Sequence, residues 1–349
     1  MRHSAFASPW SRCGLTDAAS ARDWGRRRAA ILRRSRCQRG VALGNHSMAV
    51  SSWSYRRRSF CERACALVAA AVGLGQWLPA LAQDAAPVAP PTVPFTFAVV
   101  ADPHCAEKAR FDLYPYDPSC GTHVDRLLRC VAEMDRLTGV DRPDFILVVG
   151  DIHPQELAKH MGAVRFPLRL IAGNHETGKL KEQLRGLCPE DFQVDGKPSD
   201  YYSFVHKGCR FIGVCTSGRG GDHVGYLCSE DIRPRGQCEW LERELAQPEA
   251  RKFVFSHIPP QPEGLDQNSY MSRNDSRYVN ELVSRTRPVA MFFGHQHRAT
   301  REYAIGETRC FVLRSCAWNS GNVALGFMLV KVTEAGIETR EVLTSPVAK

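Results

Sequence analysis

Lysine is absent from the first 82 residues of this 349-residue chain, although they hold 14 Arg and only 3 acids. That stretch carries +11 and the whole chain +9, so residues 83–349 carry the difference, −2. The high pI belongs to the leading segment, and charge gives no reason to expect a nucleic-acid partner. No CxxC and no Cys/His zinc-ribbon spacing occurs among the 14 cysteines, which excludes a structural zinc site of that kind. No internal repeat and no low-complexity segment follows Pro94. The one sustained apolar run, Ala64 to Leu81, is too short and too rich in Ala and Gly for a membrane span. No stable membrane anchor is therefore expected.

That run has a different meaning in its context. Arg56-Arg57-Arg58-Ser59-Phe60 precedes it, and Ala80-Leu81-Ala82 follows as a small-x-small site before Gln83. Basic, apolar and small regions in that order make an export signal over 48–82. An amphipathic core helix leaves the triple Arg and the cleavage site unexplained. Arg57-Arg58-Ser59-Phe60 resembles a twin-arginine signal, which implies export of an already folded protein to the periplasm or the medium. Residues 1–47 are Arg-rich without apolar periodicity, and Met48 is well placed as a start. The expectation is that 1–47 is a wrongly assigned or disordered extension. Residues 83–94 form a Pro-rich linker of extended character. The folded domain is expected over 95–349, long enough for a substantial core. Ten of the cysteines lie there, an even number that suggests disulfides in an exported chain. Cys228 with Cys238 and Cys105 with Cys120 are the short-loop pairings, while the connectivity as a whole stays open.

Strand and helix alternate from Phe95 onward. Phe95–Ala101, Phe145–Val149, Phe166–Ile171, Lys252–Ser256 and Val289–Phe293 are apolar runs of the kind that strands buried on both faces show. Helical spacing predicts Thr122–Leu137, Gln155–Met161, Gln237–Ala246 and Asp275–Arg285. Tyr201–Val205 and Arg210–Cys215 flank a Lys207-Gly208 turn as a hairpin, within an otherwise less regular stretch from 177 to 238. Four further strands are expected at Arg301–Ile305, Cys310–Arg314, Val323–Val332 and Ile337–Leu343. This order argues for an α/β fold with a mixed sheet. In such folds functional side chains gather beyond the carboxyl ends of the strands.

Five motifs sit at such strand ends. They are Asp102-Pro103-His104, Gly150-Asp151, Gly173-Asn174-His175-Glu176, His257, and Gly294-His295-Gln296-His297. Singly they say little: Asp-x-His arises by chance, Gly-Asp is a common strand-to-turn step, and His257 before Ile258-Pro259-Pro260 fits a packed loop. Jointly they supply Asp102, His104, Asp151, Asn174, His257, His295 and His297, an oxygen and nitrogen set without thiolate. It suits two divalent transition-metal ions such as Mn, Fe, Zn, Ni or Co. One ion cannot use so many ligands, whereas two ions sharing the Asp151 carboxylate can. Such a pair, about 3.5–4 Å apart, clamps a phosphoryl oxygen and generates hydroxide near neutral pH. His175 is then free to act as general acid, with Glu176 orienting it from behind.

These motifs resemble the signature of the calcineurin-like metallophosphoesterases. Tyr201-Tyr202-Ser203-Phe204 to Phe211-Ile212-Gly213, Gly236-Gln237 to Trp240-Leu241-Glu242, and Ser256-His257-Ile258-Pro259-Pro260 look like further family segments. The resemblance implies a four-layer α-β-β-α sandwich with mixed sheets and a dinuclear centre. Asp102, His104, Asp151 and His297 would hold the first ion, and Asp151, Asn174, His257 and His295 the second. Hydroxide on the metals would attack a phosphomonoester or phosphodiester in line, and His175 would protonate the leaving group or contact the phosphate. Where relatives often carry Asp or Asn three residues after the shared Asp, this chain has Pro154. His153 before it is expected on the loop surface. The purple acid phosphatase pattern, with Asp-x-Gly and a Tyr ligand, is not met, because His104 and Pro154 occupy those places. The loops Cys105–Gly121, Thr177–Ser199 and Ser217–Arg235 are expected to shape the pocket for a small phosphate ester. Arg110, Arg219, Arg233 and Arg235 are candidates to meet a second phosphate or a carboxylate. The alternative is a catalytically silent metal- or phosphate-binding envelope protein, which gives no reason to keep His175.

Overall fold

The structure is a computed structural model whose described residues are 93–105, 121–262, 268–318 and 323–344. The export signal, the linker as far as residue 92, Arg110 and Cys120 lie outside them.

The first sheet has the order β13-β12-β1-β2-β3. Its strands are β1 (Phe95–Val100), β2 (Pro143–Val149), β3 (Leu168–Ile171), β12 (Gly326–Thr333) and β13 (Gly336–Leu343). The second has the order β10-β11-β9-β8-β7-β6. It is built from β6 (Tyr202–His206), β7 (Cys209–Val214), β8 (Arg251–Ser256), β9 (Ala290–Phe293), β10 (Arg301–Ile305) and β11 (Thr308–Val312). A short hairpin of β4 (Gln193–Val194) and β5 (Lys197–Pro198) stands apart. Both sheets are mixed: β1, β2 and β3 are parallel, as are β7, β8, β9 and β11, while β12, β13, β6 and β10 join antiparallel.

Phenylalanine joins the two sheets face to face. The Phe97 ring on β1 stacks on Phe145 of β2 at 5.5 Å. It meets Phe211, Phe253 and Phe292 of the second sheet edge-on at 5.1, 5.6 and 5.7 Å. Offset and edge-on rings at these spacings are favourable beyond the area they bury. Helices cover the outer faces. Helix α1 (His123–Asp135) starts from a Thr122–Asp125 capping box and buries Val124, Leu127, Cys130, Val131 and Met134. Helix α2 (Pro154–His160) packs against α3 (Lys179–Leu187), and Cys188 at the end of α3 reaches the Leu168 carbonyl of β3. On the other side α4 (Gln237–Leu245) lies on β7 and α5 (Arg273–Thr286) reaches β10. The result is the expected α-β-β-α sandwich.

Element bounds differ from expectation by one to three residues at most ends, and helix α3 and the short β4–β5 hairpin were not expected. Helix α3 lies in the stretch read as irregular. Its buried face includes Lys181, whose ammonium donates to the Asp231 carbonyl and pairs with Asp200. A charged residue on the inner face breaks the apolar period by which a short helix is recognised. Among the described residues no helix is long and apolar enough to cross a membrane. Cys228 and Cys238 form a disulfide, as expected. Cys105 is instead a buried free thiol.

Phe97→Ala should cost about 3–5 kcal/mol, because it opens a cavity between both sheets. The urea midpoint would measure it, and a loss below about 1 kcal/mol would show that the ring does not anchor the interface.

Candidate metal centre

The expected residues meet at one place. Asp102 and His104 follow β1, Asp151 follows β2, Asn174 follows β3, His257 follows β8, and His295 and His297 follow β9. Both sheets thus point the carboxyl ends of their parallel strands at a common point. Each turn there is tight. Asp102, His104, Asp151, His153, His295 and His297 all have positive φ, between 40° and 73°. Non-glycine residues seldom adopt this conformation, and it concentrates at functional sites. Glycines allow the close approach. A Cβ on Gly150 would strike the His257 ring, one on Gly173 the Asp151 carboxylate, and one on Gly294 the Asp102 carboxylate.

The donor atoms fall into two overlapping groups, Asp102–His104–Asp151–His297 and Asp151–His257–His295. Within each group the ligand atoms lie within 4.8 Å of one another. Asp151 belongs to both. Its Oδ2 is 3.5 Å from His104 Nε2 and 3.3 Å from His257 Nε2. Asn174 Oδ1 lies 3.0 Å from the same His257 nitrogen, beside the second group.

Backbone partners fix the histidine tautomers. His257 Nδ1 donates to the Val149 carbonyl at 2.9 Å, which leaves Nε2 as the inward atom. His295 Nε2 donates to the His223 carbonyl at 3.0 Å, which leaves Nδ1 inward. These inward nitrogens face each other at 3.1 Å. His104 Nε2 and His297 Nε2 do the same at 3.1 Å. A proton on one nitrogen of each pair makes these contacts hydrogen bonds; with the nitrogens deprotonated, the facing lone pairs call for a cation, and imidazole with carboxylate is a donor set for divalent transition metals. The residues fit the ions that the sequence suggests.

Electrostatics agree. Burial alone would raise the Asp151 carboxyl, but His257, His104 and His175 hold it well below the usual range. Burial opposes charge on His257, yet Asp151 and Asp102 lift it to about 9. Burial pushes His104 well down, and burial with the neighbouring His257 pushes His295 down to about 3. His104 and His295 are thus held neutral, as metal ligands must be, whereas His257, kept protonated by the two carboxylates, has to give up its proton when an ion takes Nε2.

Two sequence expectations need correction. Glu176 does not orient the His175 ring. It is fully buried, and its Oε1 accepts from Ile152 N at 2.9 Å and His153 N at 3.0 Å while Oε2 accepts from Gly173 N at 2.9 Å. It ties the Asp151 loop to the Asn174 loop. Burial, with Asp151 nearby, lifts its pKa to about 7. His153 is not on the loop surface. It is half-buried, with its ring centroid 6.3 Å from His104 and 6.2 Å from His175. Burial and then His175 lower its pKa. Of the candidate arginines, Arg235 pairs with exposed Glu230, and Arg219 lies over Tyr226 at 4.4 Å. The Arg233 backbone N–H donates to Asp200, and its side chain is exposed.

Sequence reading missed Ser315 and Trp318. Ser315 Oγ donates to the Asp102 carbonyl at 2.7 Å. The Trp318 ring lies 4.7 Å from His104 and 5.1 Å from His297. Both follow β11, another parallel strand beside β9, so the strand-end rule could have found them.

The sequence profile of calcineurin-like phosphoesterases matches residues 95–299. The chain belongs to the calcineurin-like phosphoesterase family. It is 31% identical over 178 residues to a glycerophosphodiester phosphodiesterase of Enterobacter lignolyticus, a match over 48% of this chain and 61% of that protein. The matched stretch is thus less than two thirds of that relative's length. A dimetal phosphatase from Danio rerio superposes with a TM-score of 0.47 at 17% identity, over 73% of this chain and all of that one. The GAP50 inner-membrane-complex anchor of Plasmodium gives 0.49 at 14% identity, over 73% of this chain and 86% of that one. All the candidate ligands for divalent metal lie within the matched residues.

Glu176→Gln puts an amide where three N–H groups point at carboxylate oxygens. A loss of about 1–3 kcal/mol follows from unsatisfied buried donors. Thermal melting would read it, together with a fall in bound metal as the Asp151 and Asn174 loops part. An unchanged melt and metal content would show that the carboxylate does not tie these loops.

Proposed function

We propose that this protein is a two-ion phosphoric ester hydrolase that cleaves phosphodiesters. The observation that carries the reading is the sharing of one buried carboxylate, Asp151, by two donor groups that each combine residues from both sheets. Asp102, His104, Asp151 and His297 would hold one ion, and Asp151, Asn174, His257 and His295 the other. Mn, Fe, Zn, Ni or Co all suit these donors. When bound, such ions polarise phosphoryl oxygens and lower the pKa of a coordinated water.

The chain's own residues supply orientation and a proton. Val149 and His223 carbonyls hold His257 and His295 with the correct nitrogen inward. Asn174 offers a neutral oxygen, so it fills a ligand position without lowering the net charge that draws a phosphate ester. His175 leaves the Asn174 turn with its side chain 39% exposed and its Nε2 3.8 Å from Asp151 Oδ2. It stands between the donor groups and solvent, where a leaving oxygen departs, and donates its proton there. The likeness to a glycerophosphodiester phosphodiesterase supports a diester substrate. The order of basic, apolar and small residues over 48–82 supports export by the twin-arginine route to the periplasm or medium. The Cys228–Cys238 disulfide fits an oxidising destination. We further propose that residues 95–349 form the catalytic domain and that 83–94 is a linker.

Elemental analysis of the purified protein, with turnover of bis-aryl and mono-aryl phosphates, tests the reading. About two ions per chain with diester turnover is the expected result. Two ions with monoester turnover alone would refute the diester preference. No metal and no turnover after adding each of the five metals would refute the enzyme. His175→Ala should lose about 10²–10⁴-fold in kcat while keeping its metal. Asp151→Asn should lose both ions, and metal content equal to wild type would disprove the sharing.

A further inference from the structure

His153 is a residue that the proposed reaction does not use. The ligand nitrogens of His104, His153 and His175 lie within 4.8 Å of one another. His104 Nε2 is already engaged in the first donor group, facing His297 Nε2 at 3.1 Å and Asp151 Oδ2 at 3.5 Å. That leaves His153 and His175 as a pair. Among the described residues neither imidazole makes a hydrogen bond, and the nearest ion-pair atom to His175 Nε2 is Asp151 Oδ2 at 3.8 Å.

Chance packing does not explain His153 well. The residue precedes α2 with φ 58° and ψ 76°, yet its side chain makes no capping bond. Its backbone is instead clamped by Glu176, which accepts its N–H at 3.0 Å. The ring is thus carried on a fixed backbone, half-buried, beside the exposed His175. Two such imidazoles with open coordination positions are a site for a transition-metal dication, completed by water.

We infer that His153 and His175 form a third cation site at the solvent-facing edge of the centre, which takes Zn2+ in excess and blocks turnover by occupying His175. Only the block rests on the proposed function, because it requires His175 as the proton donor. The binding stands on the two imidazoles alone. His175 has its nitrogen lone pair on the ion in this state and cannot carry a proton to a leaving oxygen. The ion displaces the His175 proton to water and no covalent bond of the protein changes, so removal of the excess zinc lets the proton return and restores activity.

The test uses the holoprotein already carrying its two ions, dialysed against rising Zn2+. Elemental analysis counts zinc per chain, and turnover of a bis-aryl phosphate is followed in the same samples. Wild type should gain a third ion as activity falls. His153→Ala, normalised to its own activity without added zinc, should need about tenfold or more zinc for either effect. His153→Gln serves as a second variant that preserves volume and polarity. Equal zinc uptake by wild type and both variants, or no third ion in wild type, would overturn the site. A third ion lost with His153 but bound without inhibition would overturn the block. A two-ion holoprotein that turns over no phosphate ester would sink the proposed function instead, and the zinc count would still decide the site.

Discussion

The Asp151 carboxylate is the constraint on which the rest depends. It is almost fully buried and charged, which is costly without partners. Its partners come from both sheets. His104 and the His175 N–H belong to loops of the first sheet, while His257 comes from the second. The carboxylate is therefore satisfied only when the two sheets are packed in one relation. His257 enforces that relation twice, through Asp151 and through the Val149 carbonyl one sheet away. Gly150 makes it possible, since a side chain there would occupy the space of the His257 ring. The phenylalanine interface lets the sheets associate, and this polar contact at its end fixes their register.

Much of this was legible in the sequence because two signals coincided. Buried parallel strands such as Phe145–Val149 read as unbroken apolar runs, and the chemistry-bearing residues followed them directly. Strand ends in an α/β fold converge, so position along the chain implied position in space. The signals failed where a residue acts through something other than its place after a strand. Glu176 looks like a partner for its neighbour His175, but its carboxylate turns inward to three backbone N–H groups. Nothing in sequence separates a carboxylate that holds a side chain from one that holds a backbone. Helix α3 was hidden by Lys181, whose burial is explained by the Asp231 carbonyl and Asp200, both far along the chain. His153 was misplaced because its left-handed backbone turns the ring toward the centre, and sequence spacing does not report that sign of φ.

The same sign of φ explains how the donors converge. Side chains alternate between the faces of an extended strand, and successive strands stand about 4.8 Å apart. A strand that simply continued would spread its donors over both faces. A left-handed step at Asp102, His104, Asp151, His295 and His297 redirects each side chain past the sheet end instead. Such steps cost free energy and persist only where the surroundings over-determine them. Here the surroundings are hydrogen bonds to the loops themselves. Asp102 accepts from His295 N through both oxygens at 2.9 and 3.0 Å, His104 N donates to the Asp151 carbonyl at 2.8 Å, and Ser315 Oγ secures the Asp102 carbonyl. Each strained turn is thus held by a residue of another strained turn, or by a strand end beside it. The centre is cooperative in the literal sense: loosening one loop removes the restraint on the next. That is why donor atoms with facing lone pairs can be kept in place by the protein, and why the positions that matter include glycines and backbone-binding carboxylates that touch no substrate.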